Sequence, residues 1–292
     1  MDCLVTINTR SWTAELGPED RTAALAAMES GKVVFLPQLD FTFREAEKKF
    51  LTPVWSNDSA KNISYDASNK SIRGMKGNSV LRDELAALLQ RYADATRSLL
   101  HNLLPTYALG LIRGRTSFRP VEIKGRPARI TKDDTRLHPD SFPSRPSGGK
   151  RIIRVFCNVN PEGKGRDWRM GEPFPSFAAK FLPRLKRPAV GSRELMYLLR
   201  VTKSWRTDYD HYMLALHDAG KLDDEYQKHA TQYSFSFPSH STWICFTDEV
   251  LHAVDAGQYL LEQTYLLPVE AMARPQQSPL RVLEGLAGRP LV

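Results

Sequence analysis

The chain has 292 residues, of which 41% are hydrophobic, 25% charged and 10% aromatic. These are values of a folded globular chain, and no apolar stretch is long enough to span a bilayer. A formal charge of +8 suits an anionic partner, whether nucleic acid, an acidic membrane surface, or a phosphorylated or carboxylated substrate. No dense Lys/Arg block marks a nucleic-acid tail, and Cys3, Cys157 and Cys245 are too scattered for a disulfide framework. With no basic, apolar leader in Met1 to Arg10, a reducing, cytoplasmic location is expected.

Residues 18–30, alanine-rich and opened by Pro18-Glu19-Asp20-Arg21, read as a helix ending near Gly31. The apolar run Val33-Val34-Phe35-Leu36, closed by Pro37, reads as a buried strand, and residues 55–80 read as irregular. The clearest helix covers 81–103, where Leu81, Leu85, Leu88, Leu89, Tyr92, Leu99 and Leu103 recur at helical spacing and Pro105 ends the run. From residue 116 the pattern shortens to strands, with candidates at Val121-Glu122-Ile123, Arg129-Ile130-Thr131 and 151–159. Helical texture returns at 177–182, 194–201 and 209–216, the last with Thr207 as N-cap. Strands follow at 233–237, 242–246 and 259–267.

The expected architecture is therefore α+β in a single domain, 1–292. A helix-rich part (1–115) precedes core strands at 116–170 and 230–270, and a helical insert at 171–229 separates the two strand groups. Such an order suits a jelly-roll or cupin-like barrel with a site between its sheets.

One constellation carries chemistry. In Arg136-Leu137-His138-Pro139-Asp140, the histidine and aspartate are two residues apart, so on an extended strand they share a face. With the distant His252 they would form a two-histidine, one-carboxylate face that suits non-heme Fe(II) and leaves positions open for cosubstrate and oxygen. A His-x-Asp pair also arises by chance, and Pro139 with Ser141-Phe142-Pro143-Ser144 equally describes a surface turn.

Longer blocks separate these readings. Thr116-Ser117-Phe118-Arg119-Pro120-Val121-Glu122, the run from Asp133 through Pro146, Arg151-Ile152-Ile153-Arg154-Val155-Phe156 and Asn158-Val159-Asn160-Pro161 resemble the Kdo hydroxylase family. So do Trp168-Arg169-Met170-Gly171-Glu172-Pro173-Phe174, Thr242-Trp243-Ile244, Phe246-Thr247-Asp248, His252-Ala253 and Glu262-Gln263-Thr264. The resemblance implies an Fe(II)/2-oxoglutarate dioxygenase on a double-stranded β-helix, with His138, Asp140 and His252 as iron ligands. It implies hydroxylation of 3-deoxy-D-manno-oct-2-ulosonic acid (Kdo) at carbon 3, on lipid A, with release of succinate and CO2. Ascorbate would serve as reductant in vitro. The protein would meet Kdo-bearing lipid A peripherally, at the anionic cytoplasmic face of the inner membrane, and would bind no nucleic acid.

Many such oxygenases hold the far carboxylate of 2-oxoglutarate with an arginine about ten residues beyond the distal histidine, a role suited to a bidentate guanidinium. Here that stretch reads Glu262-Gln263-Thr264-Tyr265. Arg154, on a neighbouring strand face with Phe156 and Asn158, is the replacement, unless it is an exposed strand arginine. Asn158, Gln263 and Thr264 are candidate hydrogen-bond donors to the cosubstrate or else satisfied core groups. Arg145, Lys150, Arg166 and Arg169 flank the expected mouth and would meet substrate anions, or form a solvated face. Trp168 lines a sugar or belongs to the core. His101, His211, His217, His229 and His240 read as helix or loop residues, with His240 the rival third ligand. Other readings are the same oxygenase on another anionic sugar, a metal-binding cupin-like isomerase, or a basic binding module without catalysis.

Overall fold

The computed structural model describes residues 3–57, 62–188, 197–199, 202 and 205–292. The apolar stripe read at 81–103 becomes α2 (Ser79–Leu103), preceded by α1 (Pro18–Glu29). Asn78 caps α2 by accepting the Leu81 N–H at 3.0 Å. Leu85, Leu88, Leu89, Tyr92, Leu99 and Leu103 are buried on one face of it. Each such leucine contributes roughly 2 kcal/mol by leaving water.

That face lies on a large sheet built from β1 (Leu4–Thr6), β2 (Val33–Leu36), β3 (Ile63–Asp66), β4 (Ser71–Arg73), β5 (Ile112–Arg119), β6 (Arg151–Asn158), β9 (Ser241–Phe246) and β11 (Leu260–Leu267). Its order is β1-β2-β9-β6-β11-β5-β3-β4, antiparallel except for the β1–β2 pair. A small sheet of β10 (His252–Ala256), β7 (Arg166–Met170) and β8 (Tyr233–Phe237) packs against its other face. Strand alternation divides the large sheet cleanly. Ile153 and Val155 of β6 join the core under the helices, whereas Phe156 joins Trp168, Phe237, Trp243 and Leu260 between the sheets. Phe237 and Trp243 stack at 4.1 Å and close that layer from one sheet to the other. The result is a jelly-roll core, as expected.

Helices α3 (Phe174–Phe181), α4 (Asp208–Leu222) and α5 (Asp224–His229) lie between the strand groups. Thr207 caps α4, and Asp210 completes a capping box. The helix expected at 194–201 falls largely outside the described residues. Three local expectations are corrected. Residues 55–80 hold the β3–β4 hairpin, too short and too polar on its outer side to signal itself. Val121-Glu122-Ile123 is not a strand, because Glu122 caps the Ile123 and Lys124 N–H groups and turns the chain. Ile130–Lys132 forms a 3-10 turn. A C-terminal helix, α6 (Pro279–Ala287), had no counterpart in the sequence reading.

Candidate metal centre and cosubstrate pocket

His138 is pinned to β10 by a two-bond bridge: each of His138 and His252 donates its backbone N–H to the other's carbonyl at 3.0 Å. Two residues on, the Asp140 N–H donates to the Thr247 carbonyl at 2.7 Å. The His-x-Asp segment is thus held extended, and its two side chains share the face that meets His252. One ligand atom from each of the three lies within 4.8 Å of the others.

Backbone carbonyls select the imidazole tautomers. His138 Nδ1 lies 2.6 Å from the Arg136 carbonyl and His252 Nδ1 lies 2.8 Å from that of Val250. An Nδ1–H donated there leaves Nε2 as the free ligand atom. Burial, and then the neighbouring His252, hold His138 well below the usual histidine range; burial also lowers His252, although Asp140 opposes it. Both shifts favour the neutral imidazole that a metal ion requires. Burial would raise Asp140, but the Arg154 charge more than offsets it and leaves the carboxyl at about 2. Asp140 Oδ2 is buried and faces the Arg154 Nε at 3.1 Å, an ion pair without hydrogen-bond alignment. Two free imidazole nitrogens and an ionised carboxylate on one face fit a divalent iron. Trp168 stacks on His252 at 5.0 Å and fixes its plane.

A cavity of about 420 Å³ faces the three candidate ligands. Its opposite wall is cationic. Arg154 approaches Asp140 at 3.1 Å and Glu262 at 3.1 Å. Arg119 reaches the other oxygen of Glu262 with Nε at 3.0 Å and a terminal nitrogen at 2.8 Å. Burial would raise Glu262, yet these two arginines hold it below its ordinary value.

Arg166 is the outlier: it is 2% exposed, and one terminal nitrogen donates to the Gly257 carbonyl at 3.1 Å. Its Nε has no partner among the described residues. Burial, and then the Arg119 charge, push it down to about 9. An arginine gives up its proton so reluctantly that such a site takes an anion instead. The stem of Arg166 fits only because position 257 is glycine. With φ at +131° there, a Cβ would come within 2.7 Å of Arg166 Cγ.

The other expected residues divide. Thr264 and Arg145 line an adjoining cavity. Asn158 faces no ligand: its amide donates to the Lys164 and Phe237 carbonyls, and its oxygen accepts the Asn160 N–H, so it ties a loop at the strand end. Gln263 points to the helix side, where it accepts the Thr116 hydroxyl at 2.6 Å. Lys150 bonds the Ser147 carbonyl and Arg169 is spent on Asp255, Gln232 and Thr135; neither lines the metal cavity. Arg166 lies inside the cavity rather than at its rim. His240 pairs with Asp40 at 3.1 Å, away from the ligands. Sequence reasoning passed over Arg119, although it sits in a block carrying the resemblance. It also passed over His217, which lines the cavity edge-on to His138 with ring centroids 5.1 Å apart.

A candidate facial ligand set between jelly-roll sheets, opposite an arginine wall, matches the architecture of a 2-oxoglutarate-dependent non-heme iron dioxygenase. No curated protein sequence matches the chain, but the family model described as 3-deoxy-D-manno-oct-2-ulosonic acid (Kdo) hydroxylase matches residues 11–290. The chain belongs to the Kdo hydroxylase family. It is similar to the crystal structure of the Kdo hydroxylase KdoO, a non-heme Fe(II) α-ketoglutarate-dependent dioxygenase, bound to α-ketoglutarate and Fe(III). The TM-score is 0.96 at 51% identity, over 99% of this chain and 97% of that one. The cobalt(II) complex of KdoO gives 0.97 at 52%, and the succinate–Fe(III) complex 0.96 at 51%, with the same coverage.

Proposed function

We propose that this dioxygenase hydroxylates carbon 3 of Kdo carried on lipid A, with His138, Asp140 and His252 holding the iron. The reading rests on one observation above all: the three ligands share their cavity with Arg166, a buried guanidinium whose Nε no described residue satisfies. Iron bound there would supply the redox centre that couples decarboxylation of 2-oxoglutarate to hydroxylation, leaving succinate and CO2.

The chain's own residues do the rest. Arg166, with Arg119 beside it, holds the far carboxylate of the cosubstrate. Arg154 bridges Asp140 and Glu262 and keeps the carboxylate ligand ionised. Trp168 and Phe156 form an apolar wall that excludes bulk water. His217, oriented by Asp218 at 2.8 Å, presents an imidazole on the open side of the cavity.

The substrate's lipid would be met peripherally, at the anionic cytoplasmic face of the inner membrane. No described helix is long and apolar enough to cross a membrane. Tyr197, Leu198, Leu199 and Trp205 are 52%, 78%, 64% and 47% exposed, and the exposed Arg184, Lys186 and Arg187 precede them. Exposed apolar side chains and cations from one stretch of sequence suit an anionic lipid surface.

The test is mass spectrometry of Kdo-bearing lipid A after incubation with the protein, Fe(II), 2-oxoglutarate, ascorbate and air, with succinate measured in the same tube. A product one oxygen heavier, formed only with 2-oxoglutarate, is expected. Unchanged lipid alongside succinate release would reject this substrate and keep the dioxygenase.

A further inference from the structure

The metal cavity adjoins a second one of about 440 Å³, and Arg119, Pro143, Arg154 and Glu262 line both. The strand register builds the outer chamber. Arg73 pairs with Ser64, Ser64 with Ser117, and Ser117 with Glu262, which makes one row across β4, β3, β5 and β11. Arg115 lies two residues from Ser117, on the same strand face. Arg145 comes from the loop that follows Asp140.

The charges of this chamber do not balance. Asp66 is the shared partner of two guanidinium groups, Arg115 at 3.6 Å and Arg145 at 3.2 Å. Arg73 has no side-chain partner among the described residues, and the Nε of Arg115 is buried without a hydrogen bond. Burial, and then the Arg145 charge, lower Arg115 below its ordinary value, with Arg73 adding to the effect. The hydroxyl groups of Ser64 and Ser117 add neutral hydrogen-bonding capacity to the same wall.

We propose that Arg73, Arg115 and Arg145 form a subsite for the carboxylate of the sugar acid, which they hold while the sugar's carbon 3 faces the metal. The assignment rests on the Kdo reading above. In a 3-deoxy-2-ulosonic acid, carbon 3 is two bonds from the carboxylate carbon. An enzyme that oxidises that carbon must therefore bind the anion close to the metal, and the outer chamber shares Arg119, Pro143, Arg154 and Glu262 with the ligand cavity. Guanidinium forks suit a planar carboxylate, which accepts two parallel N–H bonds.

The experiment is calorimetric binding to the full chain loaded with cobalt(II) and 2-oxoglutarate. The probes are a methyl glycoside of Kdo, the methyl ester of that glycoside, and Kdo-bearing lipid A with and without its phosphates. Wild-type protein should prefer the free acid to the ester by about 10-fold, the scale of a charge-assisted hydrogen bond. Arg115→Met and Arg145→Gln should each cut that preference to within about 2-fold. Arg73→Gln, at an exposed position that threatens folding least, should cut it partway. Because the readout is a ratio, a general loss of affinity cancels. Variants that keep the full preference would overturn the subsite, as would failure of the wild type to bind the acid at millimolar concentration. Loss of affinity on dephosphorylation but not on esterification would overturn the carboxylate assignment. Turnover plays no part in this readout, so a wild type that binds the acid selectively but does not hydroxylate Kdo-bearing lipid A would refute the proposed function and leave the subsite standing.

Discussion

Arg151 and Arg166 each open a strand, β6 and β7, and both are almost fully buried, at 0% and 2% exposure. Their surroundings are opposite. Arg151 donates to Asp248 at 2.8 Å and to Glu249 at 2.5 Å, and stacks over the Phe246 ring at 3.7 Å. Burial works against its charge, but Asp248 and Glu249 more than offset this and hold it above its ordinary value. Among the described residues Arg166 donates to one backbone carbonyl and forms no ion pair; Asp134, Glu262 and Glu122 act on it only at longer range, and burial with the nearby Arg119 outweighs them. The desolvation of Arg151 is offset inside the protein, so the residue is structural. That of Arg166 is left for a ligand to offset, which is how a buried charge marks a binding site.

The largest effect expected lies at the metal. His138→Ala or His252→Ala should abolish succinate release and iron binding, while the melting temperature without metal stays near that of the wild type. Turnover by either variant would remove the ligand assignment on which the contrast stands. Next comes Arg151→Met, which leaves two buried carboxylates unmatched. It should lower stability by about 3–5 kcal/mol in denaturant titration while the folded fraction binds 2-oxoglutarate normally. Arg166→Met should do the reverse: 2-oxoglutarate affinity falls about 100-fold, and stability holds or rises because an unmatched charge is gone. If both arginine variants lose stability alike, the contrast is wrong.

His217→Ala should slow turnover by about 10-fold with iron content unchanged, the scale of residues that support a metal site without ligating it. The smallest effect is at Asp66, which a hydrogen bond from Ser68, helped by Arg145, holds at about 2 against an ordinary 3.8. A carboxyl depressed in the fold stabilises it above its unfolded pKa and loses that contribution as pH falls through the folded value. Asp66→Asn should therefore cost about 1 kcal/mol at pH 7, with the difference shrinking below about pH 4 and vanishing only below about pH 2, as read from parallel urea titrations.

The candidate triad was legible in two steps: a two-residue spacing on an extended segment puts His138 and Asp140 on one face, and the longer blocks that resemble the Kdo hydroxylases set the triad with His252 apart from a chance pair in a turn. The rest depended on parity and packing. In Glu262-Gln263-Thr264 the alternation is plain, but nothing in the sequence says which parity faces the metal; the register with β6 decides it, and Gln263 falls on the helix side. Asn158 shares parity with Arg154 yet sits at the strand end, where a turning chain consumes its amide. Arg166 follows Gly163 and Gly165 and so resembles a rim residue. Its burial depends on Gly257, far along the chain. His217 is one histidine on a helix, and only the packing of α4 beside the His138 segment brings it to the cavity.

The most direct test of the account is anaerobic titration of 2-oxoglutarate into the Fe(II)-loaded protein, followed by its visible charge-transfer absorption, for wild type, Arg166→Met and Arg151→Met. Saturable binding in the wild type, unchanged in Arg151→Met and weakened about 100-fold in Arg166→Met, is the expected result. Wild-type affinity retained in Arg166→Met would contradict the claim that the unmatched guanidinium anchors the cosubstrate.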